Sequence, residues 1–202
     1  MKLFLQGDIQ IGKSTILRNA LLPYEQHVAG LMVQRLFEDG AVCGFRACAV
    51  NGALPMVDGA YSDELNGVFL YKGQSFPAVL EETIMRAHTI CAETACKFIV
   101  LDEIGGLELL SGAFMNSLEK ILALNKPCAG VIKARRNLER MAGRLHLSPD
   151  ILTLRDNLQK KIEADGRVLT MTEASRGETK LAVREHVHKS LAHGQAGARP
   201  QD

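Results

Sequence analysis

The order of apolar and polar positions divides the first half of the chain into short strands around one helix. Residues 2–6 predict the first strand, a glycine loop follows, and a helix over about 13–22 ends at Pro23. Residues 27–36 and 41–50 are two β-like runs, and Glu38-Asp39-Gly40 between them predicts a hairpin turn. Residues 51–67 have no clear period and predict a loop, and 67–71 predict a short strand.

The second half alternates between helices and strands. Ser75 predicts the cap of a helix reaching about Cys96, and the continuous apolar run 98–101 predicts a strand buried on both faces. Ser111 predicts the cap of the next helix. We expect strands at 128–132 and 167–172, a partly helical segment at 133–165 and a last helix at 178–192. The alternation predicts an α/β fold with a mostly parallel sheet, helices on both faces and an added antiparallel hairpin.

Composition favours one ordinary folded domain. The 202 residues include 47% hydrophobic and 23% charged residues, so we expect a single domain over 1–192 and a disordered tail over 193–202. A net charge of +1 disfavours a nucleic-acid partner. No run approaches the roughly 18 apolar residues of a membrane helix, and Leu3-Phe4-Leu5 is too short for a signal peptide. We expect no membrane partner, and a monomer or weak oligomer.

The five cysteines do not predict a metal site or a disulfide framework. Their number is odd and no CxxC occurs. Cys43 and Cys48 fall on opposite faces of a strand, and Cys91 and Cys96 lie far apart around a helix. We therefore interpret all five as reduced cysteines in a cytoplasmic protein.

The clearest chemical signal is a phosphate loop near the N-terminus. It reads Gly7-Asp8-Ile9-Gln10-Ile11-Gly12-Lys13-Ser14-Thr15 and matches GxxxxGK[ST] at every fixed position. Glycines let successive backbone N–H groups point at phosphate oxygens, and the following helix presents its N-terminus. Lys13 then reaches the β- and γ-phosphates, and the Ser14 hydroxyl joins the Mg²⁺ shell.

An acidic strand end supplies the second half of the predicted site. Asp102 and Glu103 directly follow the apolar run 98–101. Asp102 is a candidate Mg²⁺ ligand. Glu103 is a candidate base that orients or deprotonates the attacking water, with Glu108 as the nearest substitute. The predicted catalytic pair is therefore Lys13 and Glu103, and the predicted metal ligands are Ser14 and Asp102.

Together these motifs resemble the THEP1-type nucleoside-triphosphatases (the NTPase_1 family), which include the human cancer-related nucleoside-triphosphatase. The run Asp102-Glu103-Ile104-Gly105-Gly106-Leu107-Glu108-Leu109 resembles the family's DEIGxxEL, and the hairpin from Gly30 to Phe45 resembles the family's hairpin. The likeness covers about residues 1–133. It implies a RecA-like P-loop core, Mg²⁺ dependence and hydrolysis of ATP, GTP and other nucleoside triphosphates to diphosphate and phosphate.

The chain departs from the family in three places. Gln34, Arg35 and Phe37 stand where the hairpin usually carries a Glu and an Arg. Ser175-Arg176 stands where the family tends to show Asn-Arg, and the segment 133–165 is longer than expected. These departures leave the base preference, the protein partner and the source of a catalytic cation open. The candidate cations are Lys133, Arg135, Arg136, Arg144 and Arg176.

Three alternative functions remain at this point. A small GTPase would need its guanine-reading motif after a strand, but Asn125-Lys126 follows a helix and precedes a strand. A nucleoside, nucleotide or small-metabolite kinase would use a basic lid, for which the candidates are Arg135, Arg136, Arg140 and Arg144. The third alternative is a nucleotide-switched binding module.

Overall fold

The computed structural model describes residues 1–192, and within them nine strands form one mixed sheet. The strands are β1 (Lys2–Gly7), β2 (Val28–Glu38), β3 (Ala41–Asn51), β4 (Asp58–Ala60), β5 (Val68–Tyr71), β6 (Gln74–Ser75), β7 (Phe98–Ile104), β8 (Cys128–Ile132) and β9 (Gly166–Met171). The helices are α1 (Lys13–Leu21), α2 (Pro77–Ala92), α3 (Gly112–Ala123), α4 (Arg135–Arg144), α5 (Asp150–Glu163) and α6 (Arg176–Ala192). Single 3₁₀ segments lie at Leu22–His27 and Leu107–Leu110.

The strand order across the sheet is β6-β5-β3-β2-β7-β8-β1-β9. The five strands from β2 to β9 in this order run parallel, and β3, β5 and β6 are added in antiparallel pairs. This arrangement confirms the predicted mostly parallel sheet with its antiparallel hairpin. Strand β8 separates β1, which leads into the glycine loop, from β7, which carries the acidic pair.

Side-chain alternation along the central strands builds a core on each face of the sheet. Phe98 and Val100 pack with α1 and α6, whereas Ile99 and Leu101 pack with α2, α3 and α5. Strand β1 alternates in the same way, with Phe4 on the second face. Burying one such side chain is worth about 1.5–3 kcal/mol, so both helical layers are held by apolar contact with the strands.

The β2–β3 hairpin extends well beyond the strand that β2 contacts in the parallel part of the sheet. Strand β7 pairs with β2 from Val28 to Leu31, whereas β3 pairs with β2 from Ala29 to Glu38. Past β7, the short strand β4 takes its place beside residues Arg35 to Phe37. The part of the hairpin beyond Leu31, the upper hairpin, therefore extends past the carboxyl ends of β7, β8 and β1.

Three predicted boundaries of the longer helices are wrong. Helix α2 begins at Pro77 after Phe76, and Ser75 does not cap it because Ser75 pairs with Leu70 in a strand. The helix ends at Ala92, where Glu93 turns to extended backbone, so Cys96 lies outside it. The predicted cap at Ser111 is confirmed, since its Oγ accepts a hydrogen bond from the N–H of Phe114 at 3.1 Å. Helix α6 starts at Arg176, earlier than predicted.

The segment 133–165, predicted to be partly helical, contains the two helices α4 and α5. Helices α4 and α5 pack through a small apolar cluster of Leu138, Ala142 and Ile151. Within residues 1–192 all five cysteines are free, and no cluster of three or more His, Cys, Asp or Glu side chains could hold a metal ion. No helix in that range is long and apolar enough to cross a membrane. The predicted disordered tail, 193–202, lies outside the described residues.

The close approach of β2 to β7 gives a stability test. Gly30 has φ of 143°, and a Cβ added there would lie 1.9 Å from the carbonyl oxygen of Val100. We expect Gly30→Ala to lower the unfolding free energy by about 3 kcal/mol, because the methyl group meets backbone that cannot move aside. The matched control is Gly112→Ala in the first turn of α3, where an added Cβ meets nothing within 4 Å. It should raise stability by up to about 1 kcal/mol. Urea unfolding measures both, and a Gly30→Ala protein as stable as wild type would contradict this packing.

Candidate active site

The carboxyl ends of β1, β8 and β7 meet at one edge of the sheet and carry the predicted chemistry. Strand β1 ends at Gly7, the loop crosses the edge, and α1 begins at Lys13. Lys133 follows β8, and Asp102 and Glu103 lie in the last residues of β7. Ligands of open α/β sheets bind outside the carboxyl ends of the strands, so this edge is where a bound molecule is expected.

The loop has the backbone conformation that a phosphate cradle requires. Gly12 has φ of 87° and Gln10 has φ of 65°, so the chain curls through left-handed conformations before α1. No side chain caps the N-terminus of α1, which leaves its first N–H groups directed at the edge. The ammonium of Lys13 donates to the carbonyl oxygens of Asp8 at 2.5 Å and Gly7 at 3.3 Å. Burial lowers the pKa of Lys13.

Ser14 and Asp102 are in direct contact. The Ser14 hydroxyl donates to Oδ1 of Asp102 at 2.9 Å, and Asp102 is fully buried. Its Oδ2 has no hydrogen-bond partner among residues 1–192. Burial and the nearby Glu103 carboxylate raise the pKa of Asp102 to about 7. A buried carboxylate oxygen that has no hydrogen-bond partner and lies beside a hydroxyl group suits a divalent cation. Mg²⁺ takes oxygen ligands and needs few of them from the protein.

Glu103 has a backbone conformation that the sequence did not reveal. Its φ of 55° is left-handed, which for a residue with a side chain costs of order 1–3 kcal/mol and marks functional sites. The side chain is half-buried and its Oε2 lies 3.8 Å from Nζ of Lys133. Both side chains line the same cavity as the glycine loop. Because the backbone turns at Glu103, the side chain of Glu103 lies in the cavity, whereas the side chain of Asp102 is buried.

Glu108 supports the turn after Glu103. Its Oε1 accepts a hydrogen bond from the N–H of Gly106 at 2.7 Å, and burial raises its pKa. A Cβ on Gly106 would approach both Oε2 of Glu108 and Cε of Lys133, at 2.8 and 3.0 Å. The Glu108 carboxylate is therefore engaged in holding the segment that carries Glu103.

The candidate cations occupy different positions. Arg176 lies over the loop, since a Cβ placed on Gly12 would be 3.0 Å from its Nη2, and it forms no ion pair within the described residues. Arg136 pairs with Asp8 of the loop. Arg135 is held outside the cavity by Glu139 and Asp156.

The remaining members of the basic cluster do not form a lid over the loop. Arg140 and Arg144 line a second depression that also includes Ile9, while Arg136 forms an ion pair with Asp8 of the loop. The proposed basic lid is thus dispersed over α4. All four arginines lie on α4, but their side chains make different contacts.

Two residues of the segment 133–165 support the site without having been predicted. The buried Asn137 donates its Nδ2–H to the carbonyl oxygen of Gly7 at 3.2 Å. The buried Arg155 donates to the carbonyl oxygen of Lys133 at 2.9 Å and to Oε1 of Gln6 at 2.6 Å. These side chains tie the ends of β1 and β8 together. The helical spacing of this segment does not distinguish Asn137 or Arg155 from its other polar residues.

The guanine-reading motif considered in the sequence lies at the wrong edge of the sheet. Asn125 and Lys126 precede β8, and Nζ of Lys126 donates to the carbonyl oxygens of Cys91 and Glu93, each at 2.6 Å. Lys126 therefore holds the C-terminal end of α2. It has no contact with the glycine loop, which argues against a small GTPase.

A cavity of about 500 Å³ joins the polar site to an apolar region. Its polar side includes the loop, Glu103, Lys133 and Asn137. Its apolar side comes from the upper β2–β3 hairpin, β5 and the 3₁₀ segment Leu107–Leu110. The cavity thus continues past the acidic pair, away from the loop.

Comparison with known proteins gives consistent matches. The NTPase_1 family model, described as NTPase, matches residues 2–176. The chain is 25% identical over 178 residues to nucleoside-triphosphatase THEP1 of Thermotoga sp. (strain RQ2), covering 88% of this chain and 99% of that protein. It is 32% identical over 80 residues to the Methanosarcina acetivorans THEP1, covering 38% and 45% of the two chains.

Two solved structures share the fold. The human cancer-related nucleoside triphosphatase aligns with a TM-score of 0.57 at 17% identity, covering 98% of this chain and 99% of that one. THEP1 from Aquifex aeolicus aligns with a TM-score of 0.56 at 19% identity, covering 91% and 96%. These matches confirm the P-loop fold and the family resemblance found in the sequence. The chain belongs to the NTPase_1 family of NTPases.

Proposed function

We propose that this protein is a Mg²⁺-dependent nucleoside-triphosphatase that hydrolyses ATP, GTP and other nucleoside triphosphates to diphosphate and phosphate. The observation that carries the proposal is the hydrogen bond between Ser14 and the buried Asp102, with Glu103 as the next residue. It joins the phosphate loop to the acidic strand end across the intervening strand β8. Family membership supports the same reaction class.

The loop from Gly7 to Thr15 would hold the triphosphate. Its curled backbone and the free N-terminus of α1 offer N–H donors and a partial positive charge. Lys13 now donates to two loop carbonyl oxygens, and a bound γ-phosphate would offer the ammonium a stronger, charged acceptor. Lys13 therefore serves both binding and the stabilisation of charge on the γ-phosphate.

Ser14 and Asp102 fit a magnesium ion. Asp102 has one oxygen on Ser14 and one without a partner in the described chain, and its buried carboxylate is disfavoured as an anion until a cation neutralises it. When bound with the nucleotide, Mg²⁺ would neutralise charge on the β- and γ-phosphates. A site with a single carboxylate is normal for Mg²⁺, which keeps several waters and takes phosphate oxygens as ligands.

Glu103 is placed to handle the attacking water. It is partly exposed in the cavity, while Asp102 beside it is fully buried, so the two neighbouring carboxylates serve different partners. Nζ of Lys133 lies 3.8 Å from Oε2 of Glu103, so a cation stands beside this carboxylate at the phosphate site, and a carboxylate placed there can accept a proton from the water. Glu108 is engaged with Gly106 and is the less suitable base.

Arg176 is the best-placed source of a cation in cis. Its guanidinium lies against Gly12, the residue directly before α1, and has no carboxylate partner in the described residues. A guanidinium there would contact the phosphates and stabilise charge that develops in the transition state.

The five free cysteines are consistent with a reducing environment, and we propose a cytoplasmic protein. We also propose that it acts as one domain over 1–192.

Phosphate release without an acceptor tests the proposed reaction. The purified protein should release phosphate from ATP, GTP, CTP and UTP when Mg²⁺ is present and stop when EDTA removes it. Glu103→Gln should lower turnover by about 10²- to 10⁴-fold while nucleotide affinity stays nearly unchanged, because the change removes only the proton acceptor. Lys13→Ala should weaken nucleotide affinity and turnover together. A Glu103→Gln protein that turns over ATP within a few-fold of wild type would remove Glu103 from the mechanism.

The role of Arg176 has its own test. Arg176→Ala should lower the turnover of ATP by about 10³-fold, the usual worth of a guanidinium on the transferred phosphoryl group. Arg184→Ala, on the exposed side of the same helix, is the matched control and should leave turnover unchanged. Equal turnover in the two variants, measured in a steady-state phosphate-release assay, would show that Arg176 does not contact the phosphates.

A further inference from the structure

The cavity beside the phosphate site continues into an apolar wall that lies beyond Glu103 from the glycine loop. We define this apolar wall by six lining residues: Val33, Val42, Phe45, Phe69, Leu70 and Leu107. They come from β2, β3, β5 and the 3₁₀ segment after β7. Binding sites for small molecules are typically concave, mostly apolar and of 300–1,000 Å³ in volume, as is this cavity of about 500 Å³.

The strand order places the apolar wall on the side from which a nucleophile would approach. Starting from the loop after β1, the sheet edge presents Lys133 after β8, Glu103 on β7, and then the wall on β2, β3 and β5. In phosphoryl transfer the attacking and leaving oxygens are roughly in line with the phosphorus. The loop holds the leaving diphosphate and Glu103 faces the nucleophile, so a molecule on the wall lies on the nucleophile's side of the γ-phosphate.

We infer that the apolar wall is a binding site for a phosphoryl acceptor, an uncharged aromatic alcohol of about the size of a nucleoside. This inference rests on the phosphate site proposed above. A water molecule occupies only about 30 Å³ and gains nothing from an apolar lining. A ring would pack against Phe45 and Phe69, whose centroids are 6.4 Å apart with planes tilted by 31°.

The charges around the cavity select an uncharged acceptor. Apart from Lys13, the cations that line it are Arg35 and Lys133. Arg35 is held by two hydrogen bonds to Asp58, at 2.9 and 3.1 Å, and Lys133 lies beside Glu103. Each of these two cations already has a carboxylate beside it, which weakens its attraction for a phosphate or carboxylate group of an acceptor. A nucleoside therefore fits the wall better than a nucleotide.

The proposed phosphoryl transfer uses only the acceptor's hydroxyl group, the nucleoside triphosphate and the carboxylate of Glu103. The acceptor's hydroxyl oxygen forms a bond to the γ-phosphorus while the bond from that phosphorus to the β–γ bridging oxygen breaks. The electron pair of the broken bond leaves with the nucleoside diphosphate, and the hydroxyl proton passes to the Glu103 carboxylate. Water attacking in place of the alcohol gives free phosphate, so hydrolysis and transfer share one machinery.

The test is to incubate the full-length protein and Mg²⁺ with γ-³²P-labelled ATP and one alcohol at a time. The probes are adenosine, uridine and 2-phenylethanol, and the 3′-monophosphates AMP and UMP, which keep the primary 5′-hydroxyl, are their charged counterparts. At least one neutral probe should yield a labelled phosphate ester, and AMP and UMP should yield none. Ester formation from AMP or UMP alone would contradict the neutral-acceptor site. Phosphate release without any ester would overturn the inference and leave the hydrolase intact, whereas ester without free phosphate would overturn the hydrolase instead.

A matched pair of variants locates the acceptor. Leu107 and Leu110 lie on the same 3₁₀ segment and both are exposed, but only Leu107 lines the apolar wall. Leu107→Asn should lower the ratio of ester to free phosphate by about tenfold, since one lost apolar contact in a pocket is worth about that much. Leu110→Asn should leave the ratio unchanged. Equal ratios in the two variants would place the acceptor elsewhere.

Discussion

The hydrogen bond from Ser14 to the buried carboxylate of Asp102 is the contact on which the rest of the site depends. It forms only if α1 starts directly after the loop and β7 ends level with β1 across strand β8. The two apolar cores supply that alignment, because alternate residues of each strand are packed against helices on both sides. Burial leaves Asp102 with a raised pKa and an oxygen without a partner within residues 1–192, which is a cost that a bound cation would offset.

Much of the fold could be predicted because strong local patterns and tertiary structure agree. Continuous apolar runs predicted the buried central strands, and an apolar stretch with a turn signal predicted the hairpin. The failures have physical causes. Ser75 could have capped a helix, but it was drawn into a strand pair with Leu70. The segment 133–165 lacked a clear period because α4 and α5 bury only a narrow stripe around Leu138 and Ile151.

The candidate site was predictable where chemistry imposes a residue pattern and was hidden where geometry alone matters. The loop motif and the acidic strand end predicted Lys13, Ser14 and Asp102 as site residues, because phosphate and magnesium favour an ammonium, a hydroxyl and a carboxylate, and the fold brings Ser14 and Asp102 into contact. The left-handed backbone of Glu103 and the contact of Asn137 with the loop leave no mark in the sequence, since they arise from how α4 and the turn after β7 pack. The placement of a cation over the loop likewise depends on the start of α6.

The central claim is that a water molecule attacks the γ-phosphorus of a nucleoside triphosphate held by the loop. Hydrolysis of ATP in ¹⁸O-labelled water, followed by mass spectrometry of both products, tests this claim most directly. The account predicts that each phosphate released in the first turnover carries at least one ¹⁸O atom and that the ADP carries none. Label in the ADP would mean attack at the β-phosphorus, and no released phosphate at all would mean no hydrolysis. Either result would contradict the mechanism assigned to Lys13, Asp102 and Glu103.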